Sequence, residues 1–143
     1  MTGATLYAKR GHSMWAVKVR HSGNDLKEFL NTPLDWSKEP ETILKEYLVY
    51  HQPSGYDLKA TREFYVANID HIWDNRNSPK ENIDLFEHCH YLRFDSGYES
   101  DWNCSYEDYV YILHFDNKGI IKIRDGFERG INPLFYISPL QIV

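Results

Sequence analysis

The sequence predicts an α+β domain, on three observations. Helical periodicity fills the first half, strand periodicity fills the second, and the strongest local signal is a hairpin near the C-terminal end. Helices first and then an antiparallel meander would put the helices over one face of a sheet.

In chain order, "MWAVKVR" (14–20) reads either as a strand or as the lead-in to the first helix. "NDLKEFL" (24–30) follows Ser22, Gly23 and Asn24, residues suited to helix capping, and stops near Thr32-Pro33. In "SKEPETILKEYLVY" (37–50), Ser37 is placed to cap and Pro40 falls in the first turn, where a missing N–H costs little. Ile43, Leu44, Tyr47 and Leu48 then share one helical face. "LVYHQPSGYDLKATREFY" (48–65) ends that helix, turns at Pro53–Gly55 and opens a third helix after Asp57. Its apolar stripe is Leu58, Tyr65, Ile69 and Ile72, flanked by Val66 and Trp73, and "NRNSPKEN" (75–82) ends it.

The period then changes. "IDLFEHCHYLRF" (83–94) is a strand candidate broken by Asp95-Ser96-Gly97. "YEDYVYILHF", "DNKG" and "IIKIRDGF" (106–127) make two β-rich runs joined by a four-residue turn. The final piece, "LFYISPLQIV" (134–143), carries Pro139 and reads as an edge strand or irregular tail.

The 143 residues, 42% hydrophobic and 26% charged, fit one globular domain with neither repeat nor linker. Aromatic residues make up 15%, a share that fills cores and also lines small-molecule cavities. A net charge of −5 argues against general binding to nucleic acid. Residues 1–24 hold four Lys/Arg and no acid, so residues 1–23 are expected as a basic N-terminal arm and 24–143 as the domain. No apolar run suits a signal peptide or a membrane span. Cys89 and Cys104 do not form a disulfide framework, and reduced thiols in a cytoplasmic protein are the simplest reading.

Three groups of residues carry chemistry. On an alternating strand, Ile121, Ile123, Asp125 and Phe127 would share one face, making Asp125 a carboxylate among apolar neighbours. Such a group must be paired, hydrogen-bonded or protonated, and desolvation fits it for general acid–base work near neutral pH. The alternatives are a pair with a nearby Arg or an exposed strand end. Tyr109, Tyr111, Leu113 and Phe115 share a face of the partner strand, where two phenols either donate to a substrate oxygen or simply pack. His88 and His90, two apart, project from one strand face as metal ligands do. That pair is similar to the first cupin motif, but the next acid is Asp95 and the second cupin motif is absent, so pocket-lining or hydrogen-bonded sheet histidines are the preferred reading and no metal is expected. A Gly-rich phosphate loop, a Gly-x-Ser-x-Gly elbow and a Cys-x-x-Cys are all missing.

The order helix–helix–"LVYHQPSG"–helix–meander, with "DLKATREFY" (57–65) and "HFDNKGIIKIRDGFERGINP" (114–133), resembles the NTF2-like superfamily over residues 24–135. That superfamily includes SnoaL-like polyketide cyclases, ketosteroid isomerases and phenazine-biosynthesis dimer proteins. The resemblance implies a cone: a strongly curved antiparallel sheet around a pocket, closed by the N-terminal helices, often in a homodimer. It places His51 and Gln52 at the pocket rim. Ketosteroid isomerases carry an Asp before the corner Pro, where this chain has Gln52, so their scheme does not transfer. SnoaL-like cyclases resemble the chain better, with a His at the position of His51 and the acid–base Asp where Asp125 falls. The phenazine-type register would put the acid at Gly126, and a one-residue shift turns a side chain to the other face.

The resemblance therefore implies cofactor-free proton transfer beside the carbonyl of an apolar or aromatic small molecule: cyclisation, isomerisation or dehydration. Asp125 would be the base or acid, His51 its relay and Tyr111 a donor to the enolate oxygen. Tyr65, His88, His90, Tyr109 and Gln52 would contact the substrate. The rival expectation is a non-catalytic ligand-binding or protein-interaction domain on the same cone.

Overall fold

The computed structural model describes residues 3–19, 23–51, 58–75, 92–98 and 108–126; for residues 58–62, 64–65 and 92–98 it describes the backbone alone. The elements run β1 (Ala4–Arg10), β2 (Ser13–Val19), α1 (Asp25–Leu30), α2 (Pro40–Tyr50), α3 (Leu58–Asp74), β3 (Leu92–Tyr98), β4 (Tyr109–His114) and β5 (Gly119–Asp125). The class is α+β, as expected. Among the described residues the sheet has five strands, in the order β3-β2-β1-β4-β5.

Two expectations change here. The stretch expected as a basic arm is the hairpin β1–β2, and β1 is the middle strand of the sheet. Ala4 to Ala8 are buried without alternation, as a strand covered on both faces requires. Lys9 and Arg10 close the strand and Lys18 is half-buried on the next, so these three basic residues decorate a core hairpin. Gly11, at φ +60°, and His12 make the two-residue turn between the paired Arg10 and Ser13, and a Gly in the first central position suits a II′ turn. The sheet is also mixed rather than antiparallel, because β1 pairs with β4 in parallel. A parallel pair needs a long crossover, and β2, the helices and β3 supply it.

Strand alternation divides the apolar residues into two clusters. Leu6, Ala8, Val17, Val19, Tyr111, Leu113 and Phe115 face the helices and meet Leu26, Phe29, Ile43, Leu44, Tyr47, Leu48, Ile72 and Trp73. Tyr7, Met14, Ala16, Val110, Ile112, Ile121 and Ile123 form a buried cluster on the other face. Each large apolar side chain buried in this way contributes about 1.5–3 kcal/mol.

The helices follow their sequence signals, with local differences. α1 buries Leu26 and Phe29, and Thr32 caps its end by donating to the Phe29 carbonyl at 2.6 Å. Pro40 is in the first turn of α2, but Glu39 occupies the cap; Ser37 instead turns back and donates its N–H to Asp35 at 3.0 Å. Ile43, Leu44, Tyr47 and Leu48 form the buried face as the periodicity requires. On α3, Ile72 and Trp73 are buried, whereas Val66 is 59% exposed. The Trp73 indole donates to Glu41, and Lys45 reaches Asp70 at 3.0 Å, tying α3 to α2. No helix among the described residues is long and apolar enough to cross a membrane.

In the second half, β3 runs through Asp95-Ser96-Gly97, which the sequence marked as a break. These residues pair with Ala16, Trp15 and Met14 of β2, and the ladder overrides their weak strand propensity. The predicted hairpin is β4–β5, with Phe115–Lys118 between the paired His114 and Gly119. Lys118, not Gly119, takes the left-handed conformation, at φ 52°. Cys89, Cys104 and the segment 134–143 lie outside the described residues.

Candidate functional site

A β-bulge decides where Asp125 stands. In β4–β5, Tyr109 pairs with Asp125 and Val110 with Arg124, but Tyr111 pairs with Lys122, leaving Ile123 as the extra residue. Paired residues share a face, so Asp125 lies with Tyr109 on the helix side, while Ile121 and Ile123 belong to the opposite cluster. The strict alternation that grouped Asp125 with Ile121 and Ile123 is therefore corrected. Asp125 still faces the helical layer, through the bulge. Its Oδ2 is 3.2 Å from Lys27 Nζ on α1, so the paired reading of this carboxylate holds, with Lys27 instead of an Arg.

His51 follows from the stripe on α2. It lies four residues after Tyr47 and three after Leu48, so the apolar face carries it inward, and it is 1% exposed. Its own N–H donates to the Tyr47 carbonyl at 2.8 Å, then its extended backbone (ψ 131°) ends the helix. The ring Nδ1 lies 2.8 Å from Oδ2 of Asp25, the first residue of α1. The Tyr47 hydroxyl approaches the other oxygen of that carboxylate at 3.5 Å. Burial, and then the neighbouring Asp25, push the Tyr47 phenol well above its usual range, so it stays protonated and donates. Phe29 packs on Tyr47 and Tyr50 with ring centroids 5.3 and 5.6 Å apart, walling this polar group from the side.

The arrangement is a carboxylate gripped from one helix face by an imidazole and a phenol one turn apart. It can hold a histidine ring in one orientation. Asp25 is the residue that sequence reading missed. Its signal was its place in the first turn of a helix whose Leu26 and Phe29 must dock on α2.

The other expected residues are distributed as follows. Tyr111 is 8% exposed and belongs to the helix-side core with Leu113 and Phe115. Tyr109 is half-buried on the same face, opposite Asp125. His51 meets Asp25 and Asp125 meets Lys27, two residues further along α1. Residues two apart on a helix do not face each other, so these two ties hold different sides of α1. Tyr65 lies in α3 with its side chain outside the described residues, and Gln52, His88, His90 and Phe127 lie outside them altogether. Among the described residues, no group of three or more His, Cys, Asp or Glu is placed to hold a metal ion.

Comparison with known proteins gives no relative from which a role could be carried to these residues: no family model matches the chain, nor does any curated protein or solved structure.

Proposed function

We propose that this chain is a small-molecule pocket protein that catalyses cofactor-free proton transfer beside the carbonyl of an apolar or aromatic substrate, in a cyclisation, isomerisation or dehydration. The observation that carries this reading is the Asp25–His51 couple at 2.8 Å, set in an aromatic wall at the end of α2. An imidazole oriented by a carboxylate can serve as a general base. His51 is thus the proton-transferring group, and Asp125, paired with Lys27, helps to position α1. Tyr109 and Tyr111, on the strand face toward the helices, supply phenols for the substrate oxygen.

The relation to the NTF2-like superfamily and its cone, and a cytoplasmic homodimer, belong to the same proposal. Its support is a helical layer on one face of a sheet that ends in the β4–β5 hairpin. The hairpin β1–β2 ahead of the helices departs from the helix-first order of the resemblance.

A second reading, a ligand-binding or protein-interaction domain without chemistry, is favoured by the burial of His51 and Tyr111 in the core. The two separate in one experiment. A panel of apolar and aromatic ketones is assayed for binding and turnover with wild type, His51→Gln and Asp125→Asn. Turnover lost in His51→Gln and kept in Asp125→Asn supports the enzyme. Saturable binding without turnover by the wild type supports the second reading, and neither binding nor turnover removes both small-molecule readings.

A further inference from the structure

We propose that Asp25 is a positioning residue that fixes which nitrogen of His51 carries the proton. The inference rests on the reading that His51 transfers protons, but it is tested without turnover. A carboxylate only accepts hydrogen bonds, so Nδ1 of His51, 2.8 Å from Oδ2, carries the hydrogen. In the neutral ring Nε2 is then the basic nitrogen. Tyr47 and His51, four residues apart on α2, approach different oxygens of the same carboxylate.

The Tyr47 hydroxyl can donate or accept, so it allows an amide at position 25 to sit either way round. Asp25→Ala is the discriminating change: it removes the acceptor that Nδ1 faces, so the hold on the Nδ1-protonated form is lost and the Nε2-protonated form gains.

The experiment is long-range proton–nitrogen NMR of the histidine rings in the 15N-labelled full chain, at alkaline pH. Wild type is expected with hydrogen on Nδ1, and Asp25→Ala with the Nε2-protonated form populated. A wild-type ring protonated at Nε2 overturns the proposal, and that spectrum decides even where the variant fails to fold. Asp25→Ala keeping hydrogen on Nδ1 alone also overturns it. For any substrate the wild type turns over, Asp25→Asn lowers kcat by about 10²–10⁴ with little change in KM. The assigned tautomer without turnover leaves this proposal standing and removes the catalytic role of His51, so the two failures are distinguishable.

Discussion

His51 and Asp25 join the end of α2 to the start of α1 through one contact of 2.8 Å, with the imidazole fully inside the protein. Removing one member of a buried polar pair costs more than the pair is worth, because the survivor loses the partner for which it gave up water. Asp25→Ala is therefore expected to lower unfolding stability by about 1–3 kcal/mol, read from urea denaturation. Glu28→Ala, which removes the exposed contact to the Tyr50 hydroxyl at 3.3 Å, should change it by less than about 0.5 kcal/mol.

Gly23 is where the chain enters α1 against β1. A Cβ there would stand 2.6 Å from the carbonyl carbon of Gly3 and 2.8 Å from Ala4 Cβ, so the backbone of the central strand would have to move. Gly23→Ala should cost about 1–3 kcal/mol as overpacking. Gly11 is the contrast: nothing lies within 4 Å of an added Cβ, and only its φ of +60° opposes a side chain. Gly11→Ala should cost about 1–2 kcal/mol for the left-handed backbone alone. Denaturation midpoints of both variants check this.

The ion pair between Lys27 and Asp125 has its lysine side chain 48% exposed. Solvent screening limits such a pair, so Asp125→Asn is expected to cost under about 1 kcal/mol. A loss of several kcal/mol would show that Asp125 supports far more than this contact.

Alkaline pH tests the environment of Tyr47. Burial first, then Asp25, raise its phenol well above 10.0, so the folded state holds the proton after the unfolded chain has released it. Stability from this group is thus complete below the unfolded pKa near 10 and falls as pH rises above it, by up to about 1.4 kcal/mol per pH unit. Tyr47→Phe should lose that part of the alkaline slope relative to wild type. Denaturation of the two proteins at pH 9, ~10 and ~11 makes the comparison.

Where periodicity alone sets an element, the sequence was legible. The α2 stripe, the β4–β5 hairpin and the α+β class all follow from period, and the burial of His51 was implicit in its spacing from Tyr47 and Leu48. Long-range pairing was not legible. "ATLYAKR" has no apolar pattern that announces a central strand; its position between β2 and β4 depends on partners as far as Tyr109, the partner of Ala4. The same holds for Asp95-Ser96-Gly97, drawn into β3 by the ladder with β2. The bulge at Ile123 carries no residue signal of its own, yet that one extra residue moves Asp125 to the helix side. Asp25 and His51 are 26 positions apart, and only the docking of α1 on α2 brings them together.

The most direct measurement is hydrogen–deuterium exchange at the carbon beside a ketone carbonyl, followed by NMR in D2O with the ketone panel. Wild type should accelerate exchange for at least one ketone above the buffer rate, Asp125→Asn should retain that acceleration, and His51→Gln should fall to the buffer rate. Exchange at the buffer rate throughout with wild type, or equal acceleration by His51→Gln, would contradict proton transfer by His51.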